Sequence, residues 1–367
     1  MSNSIAVWCE KVPAAESTGV ECHFNLWRFA DKKKKDIAEI GIMLDDPKLI
    51  SCIKVFFPTT LKATDLSDCG PYFEKPDVAQ GIFNEPLRCT KSSSSQKIVE
   101  LEGDSSPFCD VFVFSKDGAI IDKDELNITN IAGGALIEIT ADALASLSSQ
   151  GRNSSRGYFR IRIGLSGPQG NPFVKSRTPA DRVWNSSVEQ IEYVDFRLNE
   201  VRSLPPKIID LMRRAPNGVA NIKLIAFLTA VPVEAGVASS HEAWRKSRLL
   251  EHGVWKNYVP DEVPEGMVVY HWKKEPKDGA DHIEDFSSFV KLQARRTGGS
   301  ILWRFVTVAF LFGVAGNLTA SLLEWGGPKA YCQVSAWLYD RDPVEDPAPG
   351  DTGAAAQKSE TEEEDVK

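Results

Sequence analysis

The chain is poor in the strings that announce known chemistries. Its 367 residues hold no G-x-x-x-x-G-K-[ST], no G-x-G-x-x-G after a strand-like run, no G-x-S-x-G and no kinase signature set. A phosphate loop, a dinucleotide fingerprint and a nucleophile elbow are therefore absent as grounds for an enzyme. Cysteine is sparse and unpatterned, seven residues (Cys9, Cys22, Cys52, Cys69, Cys89, Cys109 and Cys332) with no C-x-x-C pair. An odd number at irregular spacing reads as reduced, buried thiols and not as a disulfide framework or a zinc site. The five histidines are scattered and form no H-E-x-x-H, and His282-Ile283-Glu284 is not followed by P-C-x-x-C, which excludes the zinc-deaminase pattern. The sequence predicts no metal and no cofactor, and gives enzymatic catalysis no support.

Net charge is also scarce once its location is known. The formal charge is −8, but Asp340 to Lys367 carries ten acidic residues against three basic ones, so −7 lies in the last 28 residues. The preceding body is close to neutral, and whole-protein charge argues neither for nor against an anionic partner. The first residues, MSNSIAVWCEK, lack a basic n-region followed by an apolar stretch, so no cleaved leader is expected and the body is expected in the cytoplasm.

Long apolar runs are missing everywhere except in one place. Phe305 to Leu323, FVTVAFLFGVAGNLTASLL, is nineteen residues without a charge, about what a bilayer core of ~30 Å requires. Trp303 and Trp325 bracket it 22 residues apart, roughly 33 Å along a helix, which suits two interfacial aromatic rings. Lys291, Arg295, Arg296 and Arg304 precede it, whereas only Lys329 and Arg341 follow closely. Positive charge stays inside, so the expectation is a single pass through the inner (cell) membrane with a cytoplasmic body and an outer acidic tail. Arg304 joins the two tryptophans as an interface residue. Ala309 with Gly313 and Gly316 with Ala320 are small residues at four-residue spacing, and Asn317 is an amide at membrane depth. These five residues are the candidate helix–helix contact, because small side chains admit close approach and a buried amide seeks a partner. A homo-oligomer follows from that reading. A lone anchor with ordinary membrane glycines, or a buried helix of a soluble domain, is the alternative.

The body reads as β-rich α+β. Ile5 to Cys9, Cys22 to Phe29, Ala38 to Leu44, Leu49 to Phe57, Lys97 to Leu101 and Asp110 to Phe114 are short runs rich in Ile, Val and Phe, hence strands. Thr140 can cap a helix over ADALASL, and the Ser, Gly and Asn in Ser148 to Arg156 suggest a boundary there. The organisation expected is a β-rich domain at 1–150, a mixed domain at 151–297 that could share one body with it, a membrane helix at 301–327 and an acidic tail at 328–367. Lys207 to Arg214 is expected as a short helix, Ile222 to Val231 and Met267 to Trp272 as strands, and Ser240 to His252 and Asp281 to Arg296 as helices. The first of those last two carries a basic face of Arg245, Lys246 and Arg248.

In GYFRIRIGL, Phe159, Ile161 and Ile163 alternate with Arg160 and Arg162, so a strand places both guanidiniums on one face. EYVDFRLNEVR alternates likewise and puts Asp195 and Arg197 opposite Val194, Phe196 and Leu198. Arg160, Arg162 and Arg197 are the candidate anion-binding residues, since fixed arginine forks suit phosphate and carboxylate. The competing reading is a salt-bridged sheet face with Asp195 or Glu200 as partner.

A cytosolic β-rich body followed by one self-associating span resembles bacterial antiphage membrane effectors of the Hailong type. The resemblance is one of architecture, resting on Phe305 to Leu323 with Trp303 and Trp325; no motif is matched and no residue is carried over. It implies a nucleotide or oligonucleotide ligand, an oligomer that conducts across or disrupts the inner membrane as an ion channel would, a role in antiviral defence and regulation by a protein partner. A tail-anchored scaffold that recruits a cytosolic protein is the alternative from another class.

Overall fold

The computed structural model describes residues 4–13, 15, 17–29, 34–149, 154, 156–165, 170–177, 189–240, 244–259, 263–277, 280–295 and 299–339, with backbone alone for 149, 189–190, 294–295, 299–301, 304 and 325–339. In chain order the elements are β1 (Ser4–Lys11), β2 (Gly19–Trp27), β3 (Asp36–Leu44), β4 (Ile50–Phe57), β5 (Leu66–Asp68), α1 (Pro76–Phe83), β6 (Leu87–Ser92), β7 (Gln96–Leu101), β8 (Pro107–Phe112), β9 (Lys116–Asp117), β10 (Ile120–Ile121), β11 (Leu126–Ile131), β12 (Gly134–Ile139) and α2 (Ala141–Ser149). They continue as β13 (Gly157–Leu165), β14 (Val174–Arg177), β15 (Glu189–Leu198), α3 (Pro206–Arg213), β16 (Asn221–Pro232), β17 (Ala235–Ser240), β18 (Lys246–Leu249), α4 (His252–Trp255), β19 (Met267–Lys274), β20 (Phe286–Arg295) and α5 (Gly299–Tyr339). The β-rich α+β class is as the sequence predicts.

Two large sheets form the body. One runs β11-β12-β4-β1-β15-β20-β17 with β14 beside β15, and the other runs β18-β19-β16-β2-β3-β13-β8-β7-β6 with β5 beside β13. Most pairs are antiparallel, but β1 with β15, β2 with β16 and β8 with β13 are parallel. Both sheets take strands from either side of residue 150. Residues Met1–Thr297 make one compact unit and Gly298–Lys367 another.

Alternation along the strands builds the core. Val20, Cys22, Phe24 and Leu26 of β2 and Phe159, Ile161 and Ile163 of β13 meet Ile5 and Val7 of β1, Ile53 and Val55 of β4, and Val194, Phe196 and Leu198 of β15 in one buried cluster. Phe196 stacks on Phe227 of the opposite sheet with ring centroids 4.2 Å apart. Each such ring contributes about 2–3 kcal/mol by leaving water. The outer face of the first sheet, Ala6, Trp8 and Phe56, is covered by Ile208 of α3. The outer face of the second is covered by the turn Gly70–Glu74, by α1, and by α4 with the residues after it.

Two segments differ from the helices expected. Asp281 to Arg296 contains β20, in which Phe286, Ser288, Val290 and Leu292 are buried. Its period is two, and pairing along the whole of β15 decides the matter. Ser240 to His252 holds β18, paired with β19 from Lys246↔His271 to Leu249↔Val268. Thr140 caps α2 as expected, its hydroxyl accepting from the Ala143 amide at 3.5 Å.

Within the second unit, α5 includes Phe305–Glu324, a 20-residue stretch of mean hydropathy 1.8 with none of it buried against protein. It is long and apolar enough to cross a membrane. Trp303 is 69% exposed and Phe310 69%. The Thr307 and Thr319 hydroxyls donate to the carbonyls four residues back, Trp303 O at 2.8 Å and Ala315 O at 2.7 Å, so these polar groups are satisfied inside the helix as hydrocarbon requires. Ala309, Gly313, Gly316, Asn317 and Ala320 lie exposed at three- and four-residue spacing, hence on one face. The side chains of Arg304 and Trp325 lie outside the described ones.

Candidate functional site

The three candidate arginines do not converge. Arg160 and Arg162 stand on β13 in the larger sheet, and Arg197 on β15 in the other. Arg197 donates from Nε to Asp195 Oδ1 at 2.9 Å and from Nη1 to Glu200 Oε2 at 3.0 Å, which is the salt-bridged face weighed from the sequence.

Arg160 and Arg162 do share a face, but it is not solvated, because the Gly70–Glu74 turn, α1 and the segment after α4 roof it. Arg160 is 0% exposed, Arg162 3% and Glu39 1%. Arg160 Nη2 donates to Glu39 Oε2 at 2.7 Å, and Arg162 Nε donates to Glu39 Oε1 at 2.8 Å. Arg160 also donates to the hydroxyls of Tyr258 at 3.0 Å and Tyr158 at 2.9 Å, and the Tyr258 hydroxyl donates to Glu39 Oε2 at 3.1 Å. The Arg162 guanidinium lies 4.6 Å from the Tyr258 ring centroid and 5.4 Å from that of Tyr72, within cation–π range. Burial opposes ionisation of Glu39, yet the guanidiniums of Arg162 and Arg160 outweigh it and hold the carboxyl below its usual range. Gly41 belongs to this cluster because a Cβ there would strike the Tyr158 hydroxyl.

One carboxylate thus serves two guanidiniums inside the sheet's covered face. A cavity of about 510 Å³ lies on the outer face of the larger sheet, with Arg160 in its wall. Strand alternation supplies the floor: Glu21, His23 and Asn25 of β2, Leu224, Ala226 and Leu228 of β16, Val269, His271 and Lys273 of β19. Arg245 with Lys246 and Arg248 of β18 forms one rim, and Ile82, Phe83 and Asn84 at the end of α1 with Phe108 and Arg156 forms the other. The helix α1 ends at Asn84, whose φ of 57° is left-handed, a conformation asparagine tolerates. Beyond Asn25 the cleft narrows to an apolar slot of about 20 Å³ between Trp27, Ile82, Leu250 and Trp255, room for about one water. Gly81 permits this packing, since a Cβ there would come within 2.5 Å of Trp255 Cζ2.

The cleft is electrically positive. Burial lowers the His271 pKa to about 4, and Arg245, His23, Lys246 and Lys273 push the same way. Burial likewise lowers His23, against the raising contact with Glu21, and its Nδ1 lies 3.3 Å from the Tyr158 hydroxyl. Both rings are neutral at pH 7. Among the described residues no group of His, Cys, Asp and Glu is arranged to hold a metal ion.

Arg245, Lys246 and Arg248 were visible in the sequence as a basic face, though of an expected helix; β18 places them on this rim instead. Glu39, His271 and Lys273 were missed. Their signals were the single carboxylate Glu39 inside the apolar run IAEIGIML and the alternation of MVVYHWKK.

No family model matches the chain, and no curated protein matches it. Among solved structures, the Fcho1 Mu homology domain of Danio rerio with bound Eps15 peptide is similar at 8% identity and a TM-score of 0.17, covering 82% of this chain and 81% of that chain. A likeness that slight lends this chain neither fold nor partner.

Proposed function

We propose that the chain is a single-pass protein of the inner (cell) membrane, with a cytoplasmic β-sandwich body and the acidic tail outside, that acts as a ligand-regulated membrane effector. The observation that carries it is the wholly exposed apolar stretch Phe305–Glu324, beside a body that is a compact unit of its own. The basic cleft is the regulatory site. Oligomers form through the face of Ala309, Gly313, Gly316, Asn317 and Ala320, because one helix cannot enclose a pore and small residues with an amide favour contact in hydrocarbon. Ion conduction or disruption of the membrane, in antiphage defence and with a nucleotide-type ligand, completes this reading.

The expected result is that unrestrained expression depolarises cells. The double variant Gly313→Leu and Asn317→Leu should abolish depolarisation while the protein stays in the membrane, checked by a potential-sensitive dye and by fractionation. Depolarisation that persists after deletion of residues 301–327 would overturn the proposal. A scaffold that recruits a cytosolic protein would give membrane residence with no depolarisation at all.

A further inference from the structure

Strand register places several scattered cations at one end of the body. Lys34 and Lys35 stand just before β3. β2, the strand before them, runs parallel to β16 with Trp27 opposite Ala230, and β16 ends at Pro232, where the turn to β17 begins. Ala235, the first residue of β17, lies opposite Ala294 of β20. The approach to β3 and the last residues of β20 are therefore at the same end of the two sheets. β20 stops at Arg295 and α5 starts at Gly299, so four residues of chain, at most ~14 Å, join this end to the apolar helix.

Polar contacts fasten β14 to the same end. Glu192 of β15 accepts from Arg28 Nη2 at 2.7 Å and from Ser176 Oγ at 3.1 Å, and Asp36 Oδ2 accepts from Asn171 Nδ2 at 2.8 Å. Lys175 and Arg177, the exposed neighbours of Ser176, are thereby set beside the base of the β2–β3 hairpin. Lys175 pairs with Tyr193, which pairs with Lys291 of β20, so one row across three strands carries two lysines on the outer face. The acids Asp36 and Glu192 are both bound to Arg28. The exposed acids Glu234, Glu251 and Glu265 stand beside β17, β18 and β19, two or more strands from β14 and from the hairpin. Charge at this end is thus segregated, with a basic side on β14, β20 and the hairpin.

We infer that this basic side binds the acidic headgroups of the bilayer that α5 enters, through Lys34, Lys35, Lys175, Arg177 and Lys291. This rests on reading α5 as a membrane span. A polyanion in solution has to find the surface, whereas a four-residue tether keeps headgroups beside it at high effective concentration. Cations spread over three elements suit a diffuse negative leaflet, and each one near such a leaflet raises residence there about fivefold. The charge of the leaflet then decides how firmly the body is held on it.

The test uses the full chain in nanodiscs of phosphatidylcholine alone and of phosphatidylcholine mixed with phosphatidylglycerol. Brief acylation of lysines, read residue by residue by mass spectrometry, reports which side chains the headgroups cover. Lys35 and Lys175 should react roughly fivefold or more slowly in the acidic discs, while Lys207, exposed on α3 beyond the other end of β15, should not change. Salt at 1 M, where the Debye length is about 3 Å, should remove the difference. Lys175→Glu with Arg177→Glu, both at exposed positions, should return Lys35 to its rate in phosphatidylcholine. Equal rates in the two lipids, or protection of Lys35 that survives the charge reversal, overturns the inference, as does protection by added RNA with none by phosphatidylglycerol. If that happens in a chain that enters the discs, the effector reading stands and the headgroup contact alone has failed. A chain that enters neither disc defeats both.

Discussion

Glu39→Gln is expected to destabilise the body by about 3–5 kcal/mol, the usual cost of removing one partner from a buried ion pair. The carboxylate is 1% exposed and is the acceptor for Arg160, Arg162 and Tyr258 together. A glutamine keeps one oxygen but turns an amide toward the second guanidinium, so two buried cations lose their counter-charge. Replacing Arg160 and Arg162 by Met and Glu39 by Leu together should recover part of the loss, because no charge then remains to solvate. Recovery is incomplete because the Tyr258 hydroxyl loses both Arg160 and Glu39. The carboxyl is held below its usual range, so its share of stability is present above about pH 4.5 and lost as pH falls through the native value. Chemical denaturation of the full chain in detergent checks all three outcomes. A single variant within about 0.5 kcal/mol of wild type, the range of an ordinary surface substitution, would mean that the cluster is not buried as described.

Arginines at Phe310 and Val314 should remove the protein from the membrane. Both lie near the middle of Phe305–Glu324, none of which is buried. Each arginine at a helix centre costs about 2.5–3.5 kcal/mol of insertion free energy, and the wild-type stretch is nineteen residues without any charge from Phe305 to Leu323. The double variant should leave the pellet on alkaline carbonate extraction, whereas Arg at Val201, an exposed position of the body, should change nothing. A double variant that remained in the pellet would assign membrane residence to some other part of the chain.

Much of the strand pattern was legible because two-residue alternation is local: Phe159, Ile161 and Ile163 announce their inward face whatever lies opposite. The long apolar helix was legible for the same reason, as nineteen uncharged residues need no tertiary context. The outer face of β13 was not. Alternation says that Arg160 and Arg162 share a side, but whether water or α1 lies on that side depends on a segment 80 residues earlier. The Glu39 pairing depends in turn on the register Arg160↔Gly41 and Arg162↔Glu39 between β13 and β3. β20 was misread as a helix because FSSFVKLQAR carries apolar residues at spacings of three and four as well as two, and only the partner strand β15 separates the patterns. The cleft was scattered over β2, α1, β13, β16, β18 and β19, six elements whose convergence is a property of sheet order.

The most direct test of a membrane-spanning chain with its body inside is labelling of intact cells with a membrane-impermeant maleimide. Cys332 is the single cysteine beyond the apolar stretch, and in the body Cys9, Cys22, Cys52, Cys69 and Cys109 are buried while Cys89 is partly exposed. Modification of Cys332 with Cys89 untouched until the cells are permeabilised is the result expected. Protection of Cys332 in intact cells, or labelling of Cys89 from outside, would contradict the account.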